Sequence, residues 1–312
     1  MEISEIDPNK IPEAFFEFIE LQKFNLWPII IDKVKYGKQL FENSSNVKIF
    51  ACYKQLELIG ILSLKVLEYD TTLFGFPCAL VDQVIVNSNL SGTERKEMLQ
   101  RMFLKLQEYR KEENIKFCSI SVNSWNTQLA DAIQDVNFKY ILTWADCFYN
   151  YKKIAQLPIG YEVRQVTDEK DLPLILEMTK DYFKGGRFFL DEKFPFEKSQ
   201  QMYFDLVKNS FYDPKIYLIG LYKNEVIIGC FIYREGIIAE CKAQLLRFLV
   251  FNKKEAIKGL ATNFLIGISN LLGVDGKIVV SGIEVHNLAS LKIHTDAGYK
   301  FNNVHSAYHS WI

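Results

Sequence analysis

All four histidines of this chain (His286, His294, His305 and His309) fall after residue 285, and one stands at a spacing that suits proton transfer. Asn287 and His294 are seven residues apart. On a helix, seven steps of 100° close almost two turns, so both side chains share one face about 10 Å apart along the axis. Asn287 sits where an N-cap belongs, and Gly298 sits where a short helix would end. An imidazole has an ordinary pKa near 6.5, so it can give and take protons at neutral pH. A lone histidine on a helix is more often structural. The first half of the chain, however, carries Ile133 at the matching place, and that contrast favours a chemical role for His294. The remaining histidines are not at metal-ligand spacings, and no metal is expected.

A second pattern suits an anion. Leu245–Phe251 is a continuous apolar run of strand type, followed by Asn252-Lys253-Lys254-Glu255 and then Ala256-Ile257-Lys258-Gly259-Leu260-Ala261. A helix is expected next, with apolar positions Leu260, Phe264, Leu265, Ile268, Leu271 and Leu272, stopping at Gly273. A strand, a small-residue turn and a helix start together form an anion site, because unpaired N–H groups converge where the helix dipole is positive. Gly259 and Ala261 keep bulk away from the backbone, and Lys258 adds a cation. The equivalent place in the first half, Asn89–Glu94, carries an acidic residue at the helix start and would repel a pyrophosphate.

The elements that must position these groups occur twice. Ile49–Lys54 running into Leu58–Leu62 matches Leu218–Lys223 running into Ile227–Phe231, at an offset of 169 residues. Each pair reads as a β-hairpin across a short polar turn. Asn126 precedes Asp135-Val136-Asn137-Phe138, and Asn287 precedes Asp296-Ala297-Gly298-Tyr299, at an offset of 161. The chain is therefore expected to hold two α+β (α/β) domains of one topology, 1–155 and 156–312, joined near Lys152–Gly160. Eight extra residues lie between the matched segments of the first half.

Totals narrow the class. A length of 312 residues, 49% hydrophobic and 24% charged, suits a globular enzyme of two domains. The net charge of −1, with Lys and Arg scattered, gives no electrostatic case for nucleic acid or an anionic membrane. The opening MEISEIDPNK lacks the apolar core of a signal peptide, and runs such as Trp27–Ile31 are too short to span a bilayer, so a cytoplasmic location is expected. Six widely spaced cysteines without CxxC read as buried reduced thiols.

Together these elements resemble the GNAT superfamily of N-acetyltransferases. The pattern R/Q-x-x-G-x-G/A stands here as Ala256–Ala261, and N-x-x-A-x-x-L-Y-x-x-x-G-F stands as Asn287–Tyr299. Ala256 replaces the Arg or Gln, Ser290 the Ala, and His294 the Tyr. The resemblance implies tandem GNAT-like domains, each a mixed, mostly antiparallel sheet flanked by helices, the first degenerate and the second binding acetyl-CoA as co-substrate. It implies pyrophosphate contacts from Ile257, Lys258, Gly259, Leu260 and Ala261, and pantetheine along Phe248, Leu249 and Val250 with Asn287 nearby. It also implies that His294, as imidazolium, protonates the departing thiolate.

More narrowly, Tyr69–Pro77, and Arg187-Phe188-Phe189-Leu190-Asp191 followed by Tyr203–Ser210, resemble the sugar-nucleotide branch typified by TDP-fucosamine acetyltransferase. That implies substrate contacts from Phe74, Arg187, Phe188 and Tyr203, and the amine of a TDP-4-amino-4,6-dideoxyhexose as acceptor. Asp70, Glu240 and Glu284 are candidates for the base that receives the amine's proton, with Asp70 preferred. The competing expectations are a tandem enzyme acting on a small-molecule or protein amine, or an inactive acyl-CoA-binding protein. A monomer or homodimer is expected.

Overall fold

In a computed structural model, the protein is described over residues 1–19, 32–41, 46–149, 153–180, 185–238, 241–255, 257–272 and 278–312. The chain divides into two compact units: Met1–Leu142 with Val304–Ile312, and Thr143–Asn303. Each is built around a hairpin whose turn the sequence dictates.

In the N-terminal unit, β1 (Glu2–Glu5) pairs with β2 (Val47–Lys54), which turns into β3 (Glu57–Val66). The turn residues Gln55 and Leu56 both have positive φ, 50° and 70°. In the C-terminal unit, β7 (Tyr161–Gln165) pairs with β8 (Ile216–Lys223), which turns into β9 (Val226–Ile238). There Asn224 and Glu225 have φ of 47° and 69°. Two left-handed residues in succession match the twist of the flanking strands, which is why a two-residue hairpin uses them. The register shifts fall at corresponding places too, Cys52/Tyr53 and Leu221/Tyr222. The repeat read in the sequence is thus reproduced down to backbone conformation.

Each hairpin continues into a third antiparallel strand, β4 (Cys78–Val86) after β3 and β10 (Cys241–Phe251) after β9. A parallel neighbour follows, β5 (Phe117–Asn123) or β11 (Ile278–Glu284). The helices are α1 (Lys33–Phe41), α2 (Glu68–Phe74), α3 (Gly92–Glu112) and α4 (Thr127–Gln134) in the first unit. The second has α5 (Leu172–Thr179), α6 (Arg187–Leu190), α7 (Phe196–Tyr212), α8 (Leu260–Leu272) and α9 (Leu288–Ala297). The apolar stripe of α3 (Met98, Leu99, Met102, Phe103, Leu106) is buried throughout. That of α8 is buried except for Leu271, which faces water.

The last strand of each unit comes from the other half of the sequence. β6 (Lys139–Tyr149) pairs from Trp144 to Tyr149 with Glu284–Val279 of β11. β12 (Tyr299–Trp311) pairs from His305 to Trp311 with Asn123–Phe117 of β5. The division therefore falls at two points, after Leu142 and after Asn303, instead of at one linker near residue 155. A buried guanidinium holds the incoming strand in the first unit. Arg110 of α3 donates to the Ser310 hydroxyl (2.9 Å) and the Ser310 carbonyl (3.0 Å). It also donates to the Lys116 carbonyl and to Gln107.

Among the described residues no helix is long and apolar enough to cross a membrane. Cys52, Cys78, Cys118, Cys147 and Cys230 are free and buried, and the Cys241 side chain lies outside the described set.

Candidate functional site

In the C-terminal unit the sheet opens where a ligand backbone could enter. β10 and β11 run parallel only from Ala243–Leu246 against Ile278–Ser281, then part, although β10 continues to Phe251 and β11 to Glu284. The separation coincides with a bulge at Arg247, where the register against β9 jumps from Leu246 to Phe248. A bulge bends the strand that carries it and ends its regular pairing. Phe248, Leu249 and Val250 lie just beyond. Their side chains are spent on packing, Phe248 and Val250 in the core with α5 and Leu249 against the core with α8. The parallel register with β11 ends before them. An extended ligand with amide groups fits such an edge.

The turn before α8 also has the features an anion requires. Gly259 has φ of +80°, a conformation that side chains rarely adopt. Asn263 fixes it by donating to the Gly259 carbonyl (3.1 Å) while accepting from the Gln156 N–H (2.8 Å). Among the described residues, the N–H groups of Ala261 and Thr262 at the helix start meet no acceptor. Ile257 and Lys258 are exposed beside them; Ala256 lies outside the described residues. The start of α3 differs in kind. Glu94 accepts from the Ser91 N–H (3.0 Å) and hydroxyl (2.7 Å), while the Ser91 side chain caps the Glu94 N–H (3.3 Å). Lys54 first, and then these bonds, pull the Glu94 carboxyl down to about 2, so the position is filled by the protein's own anion.

His294 stands where the sequence places it, but not in the expected state. It is 3% exposed, with Nδ1 2.9 Å from the Ser290 carbonyl and Nε2 3.2 Å from the Ser281 hydroxyl. A carbonyl only accepts, so the ring proton sits on Nδ1, and Nε2 accepts from Ser281. Burial pushes its pKa down to about 4. The imidazolium donor expected at neutral pH is therefore replaced by a neutral ring whose one proton is already engaged. Asn287 is likewise committed: its side-chain oxygen caps the Ser290 N–H at 3.0 Å, as Asn126 caps Leu129 at 3.1 Å in the other unit.

A second cluster gathers residues that the sequence scatters. Glu284, at the end of β11, is pushed above the ordinary carboxylate range by burial, with His286 opposing. The His286 Nε2 lies 3.3 Å from its carboxylate. Tyr203 of α7 stacks on Phe189 (5.7 Å between rings, 10° apart) and more loosely on Phe248 (6.4 Å). Desolvation and the nearby Glu284 charge push its phenol up to about 12. Gly185 and Gly186 close the group. A Cβ on Gly185 would sit 3.1 Å from His286 Nε2, and one on Gly186 would collide with the Tyr203 hydroxyl. Arg187 follows immediately, with its guanidinium 4.6 Å from the Phe188 ring centre.

Several expected substrate residues take other parts. Phe188 is buried edge-on against Phe194, so Phe189, its neighbour, is the aromatic that meets Tyr203. Phe74 is 4% exposed and stacked on Phe76, which abuts Trp311; it is a core aromatic of the N-terminal unit. Asp70 lies in the first turn of α2 in that same unit, whereas Glu284 belongs to the unit with the Gly259 turn. Glu240 lies outside the described residues. Sequence reasoning missed the Gly185-Gly186 pair and gave His286 no role. A double glycine directly before Arg187 was the available signal. Among the described residues no cluster of three or more His, Cys, Asp or Glu could hold a metal ion.

No family model matches the sequence, and no curated protein matches it. Solved structures do. A GCN5-related N-acetyltransferase from Sphaerobacter thermophilus superposes with a TM-score of 0.66 at 10% identity, covering 99% of this chain and 95% of that one. The chain has the GCN5-related N-acetyltransferase fold. A tandem GNAT protein from the clavulanic acid biosynthesis pathway gives 0.61 at 12% identity, covering 99% and 98%. The GCN5-related glucosamine N-acetyltransferase region of a fungal multi-domain GH3 β-N-acetylglucosaminidase gives 0.65 at 11%, covering 99% of this chain and 38% of that one. The tandem arrangement of this fold is thus matched over nearly the whole chain.

Proposed function

We propose that the protein is an acetyl-CoA-dependent N-acetyltransferase acting on the amine of a nucleotide-linked amino sugar of the TDP-4-amino-4,6-dideoxyhexose type. The observation that carries the transferase reading is the open β10–β11 pair, next to the Gly259 turn, in a unit that also holds a half-buried carboxylate with a raised pKa. Acetyl-CoA fits these residues. A Cβ would strain the turn at Gly259, unpaired N–H groups and Lys258 suit a pyrophosphate, and the β10 edge suits a chain of amides. The co-substrate supplies an acyl group activated as a thioester.

The protein's residues do the rest. An amine arrives protonated at neutral pH and is not nucleophilic until it loses that proton. Glu284 is the base, because a carboxylate raised by burial holds a proton better than one in water. His286 beside it orients the carboxylate. Tyr203 keeps its proton at all working pH values and stands next to Glu284 as a hydroxyl that hands a proton onward. Backbone N–H groups of β10 polarise the acyl carbonyl. His294 braces α9 against β11 through Ser281.

The sugar reading draws support from Arg187, which offers a diphosphate paired charge-assisted bonds, and from the Phe189–Tyr203 stack, which offers a ring face. A protein region that acetylates glucosamine shares the fold. The deciding experiment measures thiol release from acetyl-CoA with a TDP-4-amino sugar, the free sugar, spermidine and peptide amines. Preference for the nucleotide sugar is expected. Equal or better turnover on amines without a nucleotide would remove the sugar-nucleotide assignment, and no turnover on any amine would remove the transferase.

A further inference from the structure

The N-terminal unit has its own open strand pair. β4 and β5 run parallel from Cys78–Val81 against Phe117–Ile120 and then part, with the bulge here at Asp82, where the register against β3 jumps from Gln83 to Val81. A cavity of about 240 Å³ fills the opening. Its polar lining includes Asp82, Gln83, Arg95, Asn123, Asn126 and His305, and the half-buried ring of Phe18 forms part of its apolar wall.

The chemistry of this opening is unlike that of the C-terminal unit. The bulge sets Asp82 beside the gap in one unit and Arg247 in the other. The start of α3 is occupied by its own Glu94, which leaves no place for a phosphate. The cavity is also smaller than the roughly 300–1,000 Å³ of pockets that enclose drug-sized ligands. A ligand here is therefore small and rich in hydroxyl or amino groups, with Asp82 and Arg95 offsetting each other's charge across the lining and one apolar face for Phe18. Amides and a carboxylate pair with hydroxyls in both donor and acceptor senses, and a carboxylate also takes an ammonium.

We infer that the β4–β5 opening of the N-terminal unit is a binding site for a single neutral or aminated monosaccharide ring, separate from any site for acetyl-CoA. The inference does not depend on the proposed transferase activity, since every residue it uses lies in the N-terminal unit.

The test is calorimetric titration of the full chain with D-glucosamine, N-acetylglucosamine and D-fucose, with glycine and CoA as controls. Hydrogen exchange across residues 81–86 and 120–126 locates the binding. Saturable binding of at least one sugar is expected, with slowed exchange in both segments. Asp82→Ala should weaken it at least tenfold, and Ser121→Trp, which places an indole in the cavity from an exposed strand position, should abolish it. Gly259→Glu should leave it unchanged. Absence of saturable sugar binding, protection elsewhere, or undiminished binding in both cavity variants with native thermal unfolding would each overturn the inference. Acetyl-CoA titrated in parallel separates the two readings, because its failure to bind would count against the transferase and not against this site.

Discussion

Replacing His294 by Gln tests whether the imidazole is held neutral. The folded ring has its pKa pushed down to about 4, against about 6.5 in an unfolded chain. Between those values the unfolded state takes up a proton that the folded state refuses, so stability falls as pH falls through the window. The linkage amounts to roughly 2 kcal/mol by pH 5 and saturates near 3 kcal/mol below pH 4. Gln does not titrate, yet it keeps one donor and one acceptor for the Ser290 carbonyl and the Ser281 hydroxyl. The assay is urea unfolding of both proteins at pH 7.5 and pH 5, with slopes compared to confirm that the same surface is exposed. Wild type should lose about 2 kcal/mol more than the variant on acidification. NMR titration of the ring should show its midpoint near 4. Parallel losses in the two proteins, or a midpoint above 6, would refute the buried neutral assignment and restore the imidazolium donor.

Other perturbations separate the remaining roles. Gly259→Glu, which puts a charge and a Cβ into a positive-φ turn, should abolish a single acetyl-CoA site per chain; calorimetry showing two sites or unchanged affinity would contradict it. Glu284→Gln should lower kcat about 100-fold with little change in acetyl-CoA affinity. Wild-type activity should fall as pH drops through the raised pKa of Glu284, since only the carboxylate can accept a proton, and the variant should lose that limb in a pH–rate profile. Arg110→Leu removes the donors to Ser310 and Lys116 from a fully buried position and should cost about 3 kcal/mol in denaturant unfolding.

What the sequence disclosed was local. The paired hairpins could be read because alternation and turn composition act over a dozen residues, and the left-handed pairs Gln55-Leu56 and Asn224-Glu225 follow from a two-residue turn. The caps Asn126 and Asn287 and the stop at Gly298 are short-range for the same reason. The strand exchange was illegible. Nothing in the alternation of His305–Trp311 says that its partner is Phe117–Asn123 and not a neighbour in sequence. The ionisation states were hidden likewise. His294 and Glu284 are shifted by burial, and burial depends on how α9 and the Gly185-Gly186 segment settle. Asp70 stands in a contiguous motif that a sequence displays, whereas the surroundings of Glu284 are assembled from separate segments.

The exchanged strands also govern when the protein can fold. The N-terminal unit contains its own hairpin, helices and core, yet Arg110 finds its Ser310 partner 200 residues away. On the ribosome, β5 keeps an unsatisfied edge while the whole C-terminal unit is synthesised, because residues 304–312 have not yet emerged. At about 5–20 residues per second that interval lasts roughly ten seconds or more, long enough for an open strand to find a wrong partner. A nascent chain stalled before residue 304 should therefore expose β5 to chaperones and to proteolysis, and release of the final strand should close it.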